Sequence, residues 1–191
     1  MAEINAFSQL LTALHQDHLD IQDVLQVIER ELEHMQSGRE EGDLLLLADC
    51  AEYLHEYANL VHHAGEDVLF DALAAHLPEL SPTVAALHEE HRRLRGLTEA
   101  LREALACVES DTPCDRGTLL ALLREYIDVQ RAHLETEERD LYPAAAAWSQ
   151  AQPRPLPRTA GTDPLLSEQT RGRYRALHDH ITGRIRPARG G

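Results

Sequence analysis

His62-His63-Ala64-Gly65-Glu66-Asp67 and, further on, His133-Leu134-Glu135-Thr136-Glu137-Glu138 decide how this chain is read. In each, a histidine is followed four residues later by a glutamate and then by a second acid. Positions i and i+4 lie one above the other on a helix face, so His62 with Glu66 and His133 with Glu137 each offer one centre an imidazole and a carboxylate. Upstream of each stands a second pattern, Leu14-His15-Gln16-Asp17-His18 and Leu87-His88-Glu89-Glu90-His91. HxxH followed by HxxxE therefore occurs twice.

Outward from these motifs the chain is helical. The first periodic segment runs over about 6–36, with Leu11, Leu14, His18, Ile21, Leu25, Ile28 and Leu32 as its inward stripe, and stops at Ser37-Gly38. The second covers about 43–76 and ends at Leu77-Pro78. The third comes after Ser81-Pro82, where serine is expected to cap and proline to suit the first turn. Its stripe is Val84, Leu87, His91, Leu94, Thr98, Leu101, Leu105 and Val108. The fourth covers about 116–148, with Leu119, Leu122, Tyr126, Val129 and His133 inward. Four such segments joined by short breaks predict an all-α, up-down-up-down antiparallel four-helix bundle over 1–148. Residues 149–191 are expected to form a Pro/Arg-rich linker and tail carrying a short fifth helix over about 166–183.

Composition narrows the function. The 191 residues hold 33 acids and 18 basic residues, a net charge of -15, and every basic residue is arginine. That balance excludes a nucleic-acid binder, which needs a basic footprint. The charge also divides: 10 arginines against 30 acids before residue 149, and 8 against 3 after it. Such a tail either docks on the acidic body or stays solvated. No apolar run reaches the ~18 residues of a membrane span. No export signal is visible, so a cytoplasmic protein is expected. Cys50, Cys107 and Cys114 then read as reduced thiols.

The 12 histidines are in excess. A single imidazole on an apolar stripe is ordinarily a hydrogen-bonded core residue. Four helices each presenting one, two of them with a carboxylate at i+4, argue for a metal. Nitrogen and oxygen donors without a repeated cysteine motif suit iron or another first-row metal. Two inward carboxylates from separate helices can bridge two ions, so a dimetal centre is the better reading.

On these motifs, with Asp17-His18 before Ile21 and Leu141-Tyr142-Pro143 closing the last segment, the chain resembles the hemerythrin-like, or HHE cation-binding, family over about residues 8–145. The tail around Asp163-Pro164 and Arg173-Tyr174-Arg175-Ala176-Leu177 is similar to the segment beyond the bundle in a bacterial subgroup. The resemblance implies His18, His62, Glu66, His91, His133 and Glu137 as ligands of two iron ions, with Glu66 and Glu137 bridging beside an oxo or hydroxo group. It departs from the oxygen carriers in having HxxH where they have HxxxH, and Glu at i+4 where they have Asp at i+5. Reversible oxygen carriage therefore does not transfer.

Other positions stay open. His15, His63 and His88 each read as a ligand, as a group orienting one, or as a solvent-facing residue. His55, Tyr53 and Tyr126 read as hydrogen-bond partners of the site or as core residues with satisfied tips. Glu89-Glu90 and the acids of 135–140 read as solvated faces. The expected function is a non-haem diiron protein that binds or reacts with dioxygen, hydrogen peroxide or nitric oxide, in the setting of oxidative stress. Whether it turns over as an oxidoreductase, senses or carries without turnover, or stores and donates iron stays open, as does its oligomeric state. A helical adaptor with a histidine-rich core is the reading without metal.

Overall fold

A computed structural model describes residues 6–38, 42–110, 112–113, 115–151 and 167–184. Among the described residues there are helices and no strand. The first rod is α1 (Ala6–Ser37), which ends at Gly38 in the left-handed conformation, φ 65°, that glycine adopts without a Cβ penalty. The second rod begins with α2 (Leu44–Tyr53), continues through a π-helical stretch (Leu54–His62) and finishes as α3 (His63–His76). Its start is fixed by Asp43, whose carboxylate accepts from the Leu46 N–H at 3.0 Å, a cap contributing about 1 kcal/mol.

A short 3-10 turn, Pro78–Leu80, leads into α4 (Ser81–Leu105). Ser81 is the first helical residue and caps nothing with its side chain, which corrects the expectation of a serine cap. The 3-10 turn does that work, since the Ser81 N–H donates to the Pro78 carbonyl. After α5 (Cys107–Ser110), Asp115 caps α6 (Arg116–Thr136) through the Gly117 and Thr118 N–H groups. A second π-helical turn, Glu137–Leu141, joins α6 to α7 (Tyr142–Ala151). Ser167 caps α8 (Glu168–Gly183). The proposed linker lies outside the described residues, apart from its first residues, which continue α7.

The rods pack as a ring: α1 on α6 and α2, α4 on α2, α3 and α6. Their inward stripes make one core, with Leu14, Ile21, Leu25, Leu46, Leu54, Phe70, Leu87, Leu94 and Leu119 all buried. Each such leucine contributes about 1.5–3 kcal/mol by leaving water. A polar slab interrupts this core, because His18, His62, His63, Glu66, His91, His133 and Glu137 are buried in the same interior.

α8 lies against α1 and α2. Ile181 and Tyr174 are buried there, with the Tyr174 ring 4.9 Å from that of Tyr57. Arg171, His180 and Arg184 meet Asp17, Asp49 and Asp43 at 3.0, 3.3 and 2.6 Å. The basic tail helix therefore docks on the acidic body. Cys50 is a free, buried thiol, whereas Cys107 is disulfide-bonded. The expectation of three reduced thiols is corrected at Cys107, since spacing along the chain does not decide which sulfurs the fold brings within reach. Among the described residues no helix is long and apolar enough to cross a membrane.

Candidate metal centre

The two glutamates stand between two groups of histidines. Glu66 turns Oε1 toward His18 and His62, at 3.2 and 3.3 Å from their Nε2 atoms, and Oε2 toward His91 at 3.6 Å. Glu137 does the converse. Its Oε2 lies 3.3 Å from His18 Nε2, and its Oε1 lies 3.2 and 3.5 Å from the Nε2 atoms of His133 and His91. Each carboxylate thus spans both groups with one oxygen on each side.

The groups are unequal. His18, His62 and Glu66 offer atoms within 4.8 Å of one another on one side, and His63, Glu66, His91 and His133 do so on the other. His63 is therefore the one residue of the open set that joins the cluster. Its ring stacks on His91 with centroids 4.2 Å apart. The π-helical stretch ending at His62 explains the pairing, because the His63 N–H reaches back five residues to the Ala58 carbonyl and two consecutive histidines turn inward.

The second π turn has a similar effect. The Tyr142 N–H donates to the Glu137 carbonyl, five residues back. In a regular α-helix five residues are about 1.4 turns and Tyr142 would point away from Glu137. Here its hydroxyl donates to Glu66 Oε1 at 2.6 Å and lies 3.0 Å from His18 Nε2. Tyr142 thus stands on the two-histidine side, a site residue that the α-helical reading of its segment missed.

Behind the cluster four carboxylates form a closed ring of braces. Asp17 on α1 faces His62 Nδ1 at 3.4 Å, and Asp67 on α3 faces His91 Nδ1 at 2.7 Å. Glu90 on α4 faces His133 Nδ1 at 3.0 Å, and Glu138, after α6, faces His18 Nδ1 at 2.8 Å. Each rod therefore braces the histidine of the next. Each brace is also the chain neighbour of a central residue: Asp17 of His18, Asp67 of Glu66, Glu90 of His91, Glu138 of Glu137. One step along a helix turns about 100°, which swings the neighbour of an inward residue toward the adjacent rod. A carboxylate only accepts, so each ring donates from Nδ1 and keeps Nε2 for the centre. Reading Glu90 and Glu138 as solvated surface is corrected here.

HxxH gains a meaning from the same contacts. His15 reaches the Glu138 oxygen that braces His18, at 2.9 Å, and His88 lies 3.4 Å from the Asp67 oxygen that braces His91. Both outer histidines thus touch braces and stay outside the central groups. His55 sits 3.8 Å from Glu56, and Tyr53 packs between Tyr57 and His178, both away from the centre. The Tyr126 hydroxyl donates to Gln130 Oε1 at 3.0 Å, in a buried polar layer with Asn59 and Thr98.

Electrostatics favours a cation. His62 Nε2, both His63 nitrogens, Glu66 Oε2 and both Glu137 oxygens are buried without a hydrogen-bond partner. Each such atom costs about 1–3 kcal/mol, so this concentration is not an ordinary core. Burial opposes the imidazolium at His18, yet Glu137, Glu138 and Glu66 hold its pKa well above the usual value. His91 is likewise penalised by burial, but Asp67 and Glu137 raise it to about 10. His63 goes the other way: burial and the neighbouring His91 and His133 keep it neutral. Burial works against the Glu137 carboxylate, which His133 and His18 nonetheless hold far below its usual range. Two carboxylates with imidazole nitrogens and, among the described residues, no thiolate beside them are a donor set for first-row divalent or trivalent metal, which would take the place of the protons held on His18 and His91. The residues present fit such a group.

A helical bundle with a buried His/Glu cluster able to hold metal defines the class of this protein. Residues 9–145 match the family model of the hemerythrin HHE cation binding domain, and the chain belongs to that family. Membership implies a metal-binding role related to oxygen or redox chemistry. Comparisons with curated proteins and with solved structures give no match.

Proposed function

We propose that the chain holds two iron ions and uses them to bind or react with dioxygen, hydrogen peroxide or nitric oxide. The carrying observation is that Glu66 and Glu137 each set one oxygen toward each histidine group. His18 and His62 would hold one ion and His63, His91 and His133 the other, with Glu66 and Glu137 each offering an oxygen to either group. The same reading takes the rods as an up-down-up-down antiparallel bundle, since short breaks join consecutive rods. When bound, a pair of irons supplies redox electrons and an open coordination position.

The chain's own residues determine where that position lies. Two imidazoles on one side against three on the other leave the two-histidine side short of one donor. Tyr142 stands there with its hydroxyl on Glu66, and burial and then Glu66 and Glu137 push its pKa well up. With Glu66 Oε1 taken up by an ion, the single phenol proton would be released from that oxygen and could turn to an incoming small molecule. The four braces lock the histidine tautomers, and such outer partners are typically worth about 10–100-fold in affinity or activity.

Anaerobic reconstitution followed by metal analysis, optical and Mössbauer spectra tests the reading. Two irons per chain with a bridged ferric signature are expected, and fewer than two would overturn it. Peroxide and nitric oxide consumption, compared with metal-free protein and with Glu137→Ala, then separates turnover from a stable adduct.

A further inference from the structure

Three of the four braces reach solvent, and one does not. The side chains of Asp67, Glu90 and Glu138 are 39%, 37% and 32% exposed, whereas that of Asp17 is 1% exposed. Burying an ionised carboxylate requires compensation. At Asp17 it comes from two directions. The Tyr57 hydroxyl donates to Oδ1 at 2.8 Å, and Arg171 Nη2 donates to the same oxygen at 3.0 Å. With Oδ1 doubly engaged, Oδ2 is left facing His62. Arg171 belongs to α8, outside the four rods and outside the family match, which ends at residue 145.

We propose that Arg171 is a positioning residue for the two-histidine half of the metal centre: from the C-terminal helix it holds Asp17, and through Asp17 the ring of His62. The geometry makes α8 part of that half of the site. The three-histidine half is braced wholly from within the rods, by Asp67 and Glu90, and owes nothing to α8. Docking of α8 by Tyr174 and Ile181 brings the guanidinium over Asp17, and a guanidinium fork is the group suited to a buried carboxylate. Without it, Asp17 is a buried anion left with only the neutral donors Tyr57 and His62, and its hold on His62 slackens. The two ion positions therefore differ in what completes them, one by the bundle alone and the other by the bundle and the tail helix.

The inference rests on the two-ion reading, and its test separates the two. Ring-nitrogen NMR of the metal-free protein is recorded for the wild type, Arg171→Ala, Arg171→Gln, Arg171→Lys and Arg184→Ala. Arg184 pairs with Asp43 at the exposed end of the same helix and controls for weaker docking. Each is then titrated with cobalt(II). Arg171→Ala and Arg171→Gln are expected to shift the His62 ring signals while His63, His91 and His133 stay in place. They should also weaken one of the two cobalt ions about 10–100-fold, the usual effect of losing an outer partner. Arg171→Lys should restore part of both effects, and Arg184→Ala should show neither. Unmoved His62 signals in Arg171→Ala, or a shift of all the rings matched by Arg184→Ala, would overturn the role of Arg171. A wild-type chain that takes up fewer than two ions would overturn the two-ion reading instead, and the metal-free His62 signals would still decide the role of Arg171.

Discussion

The two halves of the centre share Glu66 and Glu137 but are built in different ways. The three-histidine half consists of His63, His91 and His133, held by neighbouring rods and closed by three imidazoles. The two-histidine half has one imidazole fewer, a tyrosine over the shared carboxylate, and a buried brace tied to a fifth helix. On the proposed two-ion reading, the side with three imidazoles would suit retention of an ion, and the side with two imidazoles and a tyrosine would suit a reacting ligand. The difference comes from the two π-helical turns, which bring His63 into one half and Tyr142 into the other.

Breaking the part common to both halves has the largest expected effect. Glu137→Ala should abolish paired binding, taking iron from two ions per chain to one or none by metal analysis. In the metal-free protein the loss of Glu137 also removes a partner of His91. His91, raised to about 10 from an ordinary 6.5, contributes stability that is full below pH 6.5 and is lost as pH rises through about 10. Denaturant midpoints of metal-free wild type should therefore fall across that window, and Glu137→Ala should flatten the fall.

His63→Leu is the sharper way to separate the halves. It should strip or weaken one ion by more than the ~10–100-fold of an outer partner and leave the other, so the titration becomes biphasic. Equal loss of both ions would show that the halves are not distinct. Asp67→Asn should act on the same half but less, lowering affinity about 10–100-fold because His91 keeps its place and loses only its brace. The smallest change is expected from Tyr142→Phe. Iron content should stay at the wild-type level, while the ligand adduct weakens by the ~1–1.5 kcal/mol of one hydrogen bond, read as a faster ligand off-rate.

Much of the centre is legible in the order of residues. The i+4 spacing of His62 with Glu66 and of His133 with Glu137, and the place of His18 and His91 on apolar stripes, already group the six residues that the fold brings together. The braces are not legible, because Asp17, Asp67, Glu90 and Glu138 look like the acids of any solvated helix face, and their partners lie on other rods. Their signal is adjacency to a central residue, which identifies them only once the rods are packed. Tyr142 is hidden, and His63 stays among several alternatives, for a local reason. Both depend on a turn one residue wider than an α-turn, and period-3.6 reasoning puts Tyr142 on the wrong face. His15 and His88 share spacing with true neighbours of the centre, yet their rings stop at the braces.

Three things come from the order of residues alone: the chain is helical, four of its histidines and two glutamates share an interior, and it resembles a cation-binding family. Periodicity and i+4 geometry are local properties, and local properties survive in a one-dimensional reading. Packing in three dimensions settles the rest: which oxygen faces which histidine, that the braces close a ring from rod to rod, and that a helix beyond the bundle supplies Arg171 to Asp17. Those are contacts between residues up to 154 positions apart. Nothing in a local pattern encodes such distances, and they become fixed only when the rods and α8 come together.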